Sequence, residues 1–305
     1  LENTYGCVVY QEQVMQIFRE LAGYSYGRAD IVRRAMSKKK LDVMEKERTA
    51  FIFGCEKNGI DKSVANTIFD QMSDFAKYAF NKSHAACYAL VAYRTAYLKC
   101  YYPAEFMASL MTSVLDQSNK VARYTAECKR LGIRLAPPDI NSSMQGFTAN
   151  EKVINYGLLG IKNVGREFVD DLVRERENGD FTDLGDFCTR MSEKHFNRRA
   201  VESLIRCGAM DRFDKNRRQM LQALPSMVSN IEIYRQRTQY GQFDFFALDG
   251  DNSALTFDYP SIDEFPKAEL LKMEKEMTGL YLSGHPMDKY EGICRKIGFA
   301  NIGEL

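Results

Sequence analysis

Residues 80–106 read FNKSHAACYALVAYRTAYLKCYYPAEF, and this stretch decides the fold class. From His84 to Tyr102 it holds neither proline nor glycine, and Pro103 stops the run, so the spacing predicts a helix over 84–102. Asn81 and Ser83 are both good helix caps, because a short polar side chain can accept a bond from an otherwise unpaired backbone N–H. Lys82 and His84 then lie at the positive end of the helix dipole, where an anion such as phosphate would fit. A plainer reading also stands: Tyr88, Val91, Ala92 and Thr95 trace a buried stripe, and Lys82 is merely solvated.

Helical spacing continues outward from this stretch in both directions. Upstream, Val14, Ile17, Phe18 and Leu21 repeat at helical intervals, and further helices are expected over 29–36, 40–57 and 62–79. Downstream they are expected over 104–115 and 119–131. Gly23, Gly27, Gly59 and Gly132 punctuate the block, and Pro137-Pro138-Asp139 ends it. A short hairpin turning at Asn150-Glu151 follows, then helical sequence again over 158–225. Beyond Ser226 the pattern weakens. Residues 236–260 carry Asp244, Asp249, Asp251 and Asp258 with little periodicity and read as a flexible acidic linker, and a short helix is expected over 266–277. No repeat of solenoid period is visible. The expected class is mainly α.

Composition narrows the function. The 305 residues hold 42 basic and 41 acidic side chains, a net charge of +1, so any nucleic-acid binding must come from local patches. Eight scattered cysteines, with no Cys-x-x-Cys and no paired histidines, argue against a zinc site or disulfide framework and suit reduced thiols in a cytoplasm. No apolar run reaches the roughly 18 residues a membrane span needs, and no leader peptide opens the chain. The start Leu-Glu-Asn, without methionine, suggests a piece of something longer.

Three further constellations carry possible chemistry. Arg28, Arg33, Arg34, Lys38, Lys39 and Lys40 form a basic run that is either a solvated helix face or a phosphate contact. Ile161-Lys162-Asn163-Val164-Gly165, followed by Arg166, Val169 and Leu172, has the pattern of a helix-hairpin-helix, whose tight turn lets backbone N–H groups meet a DNA phosphate without reading bases. Asparagine at 163 tolerates positive φ better than any residue but glycine. A degenerate second unit runs from Asn197 to Asp211, with Arg198 and Arg199 at its start. In the acidic linker, Gln242-Phe243-Asp244-Phe245-Phe246 sets two adjacent apolar rings where no core explains them.

The strings GCVVYQEQVM (6–15), RADIVRRAMSKKK (28–40), FNKSHAACYALVAYRTAYLKCYYPAEFMASLMTS (80–113), GLLGIKNVG (157–165) and GLYLSGHPMDKY (279–290) together resemble, in order, the alpha subunit of bacterial DNA polymerase III, the C-family replicative polymerase. The resemblance implies a multi-helical fingers domain, then helix-hairpin-helix units, then a partly extended clamp-binding segment. It implies a nucleotide-facing part over 1–135, a connector with the hairpin over 136–157 and tandem hairpin units over 158–225. The clamp-binding linker, leading toward an oligonucleotide-binding domain, would cover 226–305.

By the same resemblance, Arg33 or Arg34 reaches the triphosphate, and Tyr78, Asn81, Lys82, Ser83 and His84 line the nucleotide pocket, with Lys82 near phosphate and His84 near the sugar. Lys162, Asn163, Val164, Gly165 and Arg166, with Arg198 and Arg199, would meet DNA. Gln242, Asp244, Phe245 and Phe246 would hold the sliding clamp. The family usually has two glycines where Gly27-Arg28 stand and commonly glycine where Asn163 stands.

Magnesium would belong to a catalytic palm missing from this chain, since Asp249-Gly-Asp251 lies in the linker and not on a strand platform. The implied parent adds deoxynucleotides to a primer end, with primer-template DNA, deoxynucleoside triphosphates, the clamp and other replicase subunits as partners. The fragment alone is expected to be inactive, bind no metal and be cytoplasmic. Alternatives are a stand-alone helix-hairpin-helix adaptor, which would have no use for residues 78–84, and an error-prone paralogue.

Overall fold

A computed structural model of the chain describes residues 1–38, 41–75, 80–192, 194–239, 258–290 and 293. Backbone contacts group the chain into two units, Leu1–Tyr97 and Leu98–Leu305. The division falls inside a helix. It puts residues 98–135, read from sequence with the nucleotide-facing part, in the same unit as the hairpin region.

The first unit contains α1 (Gln11–Ala22), α2 (Tyr26–Ser37), α3 (Leu41–Lys57), α4 (Lys62–Phe75) and most of α5 (Lys82–Tyr101). Gly23 ends α1 in the left-handed region at φ 70°, and Ser25 starts α2 by accepting from the Arg28 N–H. Phe18, Phe51 and Phe69 meet at the centre, with Phe18 at 4.9 Å from Phe51 and 6.1 Å from Phe69, both edge-on. Val14, Val32, Met36, Cys55 and Met72 complete that core.

Helix α5 corrects the expectation of a buried stripe. None of its residues is buried, and Tyr88, Val91, Ala92 and Thr95 are exposed. Apolar residues run all round this helix and not along one face, so periodicity alone could not assign it a buried side.

The second unit begins with α6 (Pro103–Thr112) and α7 (Ser118–Arg130), which pack on a three-stranded sheet of order β1-β3-β2. The expected hairpin is β2 (Thr148–Asn150) and β3 (Val153–Asn155), antiparallel, with Glu151 at φ 53° in the turn. Strand β1 (Arg134–Ala136) pairs parallel to β3. The three residues of β1, between Gly132 and Pro137, are too short a run to carry a strand signal of their own. Helices α8 (Arg166–Glu175), α9 (Leu184–Met191), α10 (Arg198–Arg206), α11 (Arg217–Gln239) and α12 (Lys267–Thr278) follow.

One continuous core joins Met107 and Met111 of α6 to Ile154, Tyr156, Phe168, Leu172, Phe187, Leu204 and Ile205. α11 runs well past Ser226, where the sequence pattern weakens, and continues through Pro225. That proline is exposed, and its missing N–H costs the helix one backbone bond there.

Candidate nucleic-acid interface

In the first unit, the N-terminal turn of α1 is the hub of the sequence-predicted nucleotide site. Gln11 Oε1 accepts from Arg33 Nη1 (2.7 Å), and Arg33 also donates to Asp30 Oδ1 through Nε (2.9 Å) and Nη2 (2.7 Å). Arg34 pairs with the other oxygen of Asp30 at 2.7 Å. Hydrogen bonding from Arg33, then its charge, holds the Asp30 carboxyl below the usual carboxylate range.

Glu12, next along the same turn, reaches the start of α5. Its Oε2 accepts from the Lys82 N–H (2.9 Å) and its Oε1 from Asn81 Nδ2 (3.0 Å). Asn81 is the cap, accepting from the His84 N–H at 2.8 Å, whereas Ser83 lies inside the first turn. The helix start therefore does attract an anion, but the anion is Glu12. The sequence reading missed this residue; its only signal was an acidic side chain in the first turn of α1.

Lys82 itself is exposed, with its ammonium 5.9 Å from the Tyr10 ring centroid. The His84 ring lies 5.5 Å from Phe80 and 4.4 Å from Tyr88. Adjacent residues of α1, Gln11 and Glu12, thus hold Arg33 and the start of α5 at Asn81 and Lys82. Tyr78 lies outside the described residues, as do Lys39 and Lys40.

In the second unit, the turn 161–165 leads directly into α8. Asn163 takes φ 65°, and its side chain donates to Ser203 Oγ on α10 (3.1 Å). Asparagine replaces glycine here without giving up the left-handed turn, because the second hairpin unit anchors its amide. Gly165 begins α8 from an extended conformation, no side chain caps that helix, and a Cβ on Gly165 would meet open space. A phosphate can therefore approach the first-turn N–H groups closely. The Lys162 N–H is already used, donating to the Met277 carbonyl of α12 at 2.9 Å.

Val164 is a buried wedge at 8% exposure, while Lys162 and Arg166 are exposed. Asn197 caps α10 by accepting from the Arg199 N–H (2.9 Å), which leaves Arg198 and Arg199 exposed in the first turn.

Two polar clusters keep these helix starts in place. His195, in the turn before α10, lies with Nδ1 2.6 Å from Asp171 Oδ2 of α8, and the same oxygen accepts its backbone N–H at 3.1 Å. The bond to Asp171 raises the imidazole's pKa, and the bond to His195 lowers the carboxyl's. Arg217, 5% exposed, donates to Asp211 and to Glu274 Oε1, which is 1% exposed. Glu274 Oε2 in turn accepts the N–H groups of Leu282 and Ser283, so α12 and the segment after it are tied to α11.

Among the described residues, no three His, Cys, Asp or Glu side chains cluster as metal ligands. No described helix is long and apolar enough to cross a membrane.

The turn at 161–165, opening on the uncapped start of α8, has the form of a helix-hairpin-helix, a motif that meets nucleic-acid phosphate through backbone N–H groups. Residues 1–59 match the family model of the bacterial DNA polymerase III alpha subunit finger domain, and residues 132–220 match that of the helix-hairpin-helix motif. The chain is 44% identical to DNA polymerase III subunit alpha of Vibrio cholerae, over 95% of this chain and 25% of the relative. It is 42% identical to that of Borreliella burgdorferi, over 99% of this chain and 27% of the relative. For Escherichia coli K12 the identity is 43%, over 100% of this chain and 27% of the relative. Over nearly its whole length the chain is similar to bacterial DNA polymerase III alpha subunits, and it spans about a quarter of the length of these curated relatives.

Proposed function

We propose that this chain is the fingers and clamp-binding part of a bacterial replicative DNA polymerase, an enzyme that adds deoxynucleotides to a primer 3′ end under template direction. In this reading the first unit orients the incoming triphosphate, the second grips duplex DNA, and Gln242, Asp244, Phe245 and Phe246 dock the sliding clamp. The clamp residues lie outside the described residues, so their support is the peptide pattern alone. Magnesium would be held by carboxylates elsewhere in the full-length enzyme, whose other subunits are further partners.

The roles follow from the chemistry of each group. Arg33 has its planar fork oriented by Asp30 and Gln11, which suits bidentate contact with phosphate oxygens. Because Glu12 fills the start of α5, Lys82 meets phosphate through its exposed ammonium and not through its backbone. His84 stands at the same helix start, where its ring can crowd a ribose 2′-hydroxyl.

The observation that carries the reading is the open start of α8 at Gly165, where backbone can meet a phosphate without base recognition. The chain should bind duplex DNA without sequence preference, and its affinity should fall steeply as salt rises. Gly165→Val should weaken binding more than Lys162→Ala, because it blocks approach to several N–H groups while the second removes one charge. Since a Cβ at this position meets no atom within 4 Å, and Gly165 already has an extended conformation that valine adopts, the melting temperature of Gly165→Val should stay near wild type. Duplex anisotropy titrations across a salt series check this. Salt-independent binding, or unaltered affinity in Gly165→Val, would sink the proposed mode.

A further inference from the structure

The last turn of α5 together with α6 and α7 encloses a groove of about 580 Å³, separate in sequence from the hairpin turns and lined by Lys99, Phe106, Leu110, Arg123, Tyr124 and Arg130. Glu127 sits among these cations. Its Oε1 accepts from Lys99 Nζ and Arg130 Nη2, both at 2.7 Å, and its Oε2 accepts from Arg130 Nε at 2.7 Å. One carboxylate facing three cations leaves an excess of two positive charges in the groove. The triad also orders the Lys99 and Arg130 side chains in advance. Arg123 is exposed, so its guanidinium stands at the surface.

The apolar wall is aromatic. Phe106 and Tyr124 are half-buried, each packed against the core on one side and open to the groove on the other. Fixed cations alternating with half-exposed rings fit one ligand chemistry in particular: phosphates track the cations while unpaired bases stack on the rings. A duplex offers phosphates but keeps its base faces stacked internally, so it leaves the rings unused. An acidic peptide would use the cations and also has no need of them.

We propose that the α6–α7 groove is a second nucleic-acid site, specific for single strands, beside the duplex contact of the hairpin units. The proposal rests on the reading of the chain as a DNA-handling segment, and it adds a route for an unpaired strand.

The test uses the whole chain, with anisotropy titrations of a labelled oligo-dT of about 20 nucleotides and of a blunt duplex. Arg123→Gln should weaken oligo-dT binding and lower its salt slope by about one. Tyr124→Leu, which keeps the core contact but removes the stacking face, should weaken it roughly tenfold, in line with the usual loss of a base–aromatic stack. Both variants should bind duplex as wild type does, and Gly165→Val should show the opposite selectivity. Melting curves confirm that each variant is folded, and Arg123→Gln alters only an exposed position.

Unchanged oligo-dT affinity in folded Arg123→Gln and Tyr124→Leu overturns the groove. So does a loss of both ligands in Gly165→Val, which would mean a single site. If Arg123→Gln binds more weakly but Tyr124→Leu does not, and polyglutamate displaces the oligonucleotide, the groove serves an acidic peptide instead. Failure of wild type to bind duplex counts against the function proposed above, whereas duplex binding without oligo-dT binding counts against the groove alone.

Discussion

Single side chains decide how anions are managed in this chain. Arg33 and Lys82 belong to different helices, and adjacent residues of α1, Gln11 and Glu12, hold them. Arg33→Ala or Lys82→Ala in the full-length polymerase should therefore raise the KM for nucleotide and lower kcat/KM. A charge-assisted bond contributes about 1.5 to 3 kcal/mol, so each loss should be roughly 10- to 150-fold. Single-nucleotide insertion kinetics that match wild type in both folded variants would mean the nucleotide site lies elsewhere. His84→Ala should admit ribonucleotides more readily, read as the ratio of kcat/KM for the two sugars. The left-handed turn at Asn163 was legible from the hairpin pattern around it, since asparagine is the residue after glycine that best tolerates positive φ. Glu12 was not legible, since nothing in its neighbours indicates that it caps a helix starting 70 residues later.

At the scale of elements, two polar clusters tie helices of the second unit together. The Asp171–His195 pair joins α8 to the turn before α10. The imidazole's raised pKa means its contribution is complete below about pH 6.5 and fades as pH rises through the higher folded value. The carboxyl's lowered pKa means its contribution is present above about pH 3.9 and is lost as pH falls through the lower folded value. The melting-temperature difference between wild type and His195→Ala should therefore be largest at roughly pH 5 to 6 and shrink toward alkaline pH. A difference that is flat with pH would show that the imidazole acts only by packing.

Arg217 is the second tie. Arg217→Met leaves Glu274 buried without its cation, a change that typically costs about 3 to 5 kcal/mol. Urea unfolding should show that loss, and the Leu282 and Ser283 amides that Glu274 holds should exchange faster with deuterium. Gly208 belongs to the same arrangement. It sits at φ 86°, and a Cβ there would overlap the Arg217 guanidinium, so glycine is required both for its conformation and for space.

For the whole molecule, the function proposed above puts clamp attachment and nucleotide handling on separate segments of the sequence. A peptide spanning Gly241 to Leu248 should bind the sliding clamp by itself, because a few anchoring side chains carry most of the energy of such contacts. Gln242→Ala or Phe246→Ala should each cost about 2 kcal/mol, roughly 30-fold in affinity. In the full-length enzyme the double change should abolish processive synthesis and spare single-nucleotide insertion. Lower melting temperature with unaltered clamp affinity would instead place the two phenylalanines in the fold.

Most helix positions other than the length of α11, the cap at Asn81, the β2–β3 hairpin and the turn at Asn163 were determined by the sequence itself, because each depends on residues within a few positions of one another. The pairing of β1 with β3, the lack of any buried residue in α5, the run of α11 past Ser226, Glu12 at the start of α5 and the buried Arg217–Glu274 contact were decided only by tertiary structure. Each of those depends on which distant segment arrives as a neighbour, and local periodicity carries no record of that choice.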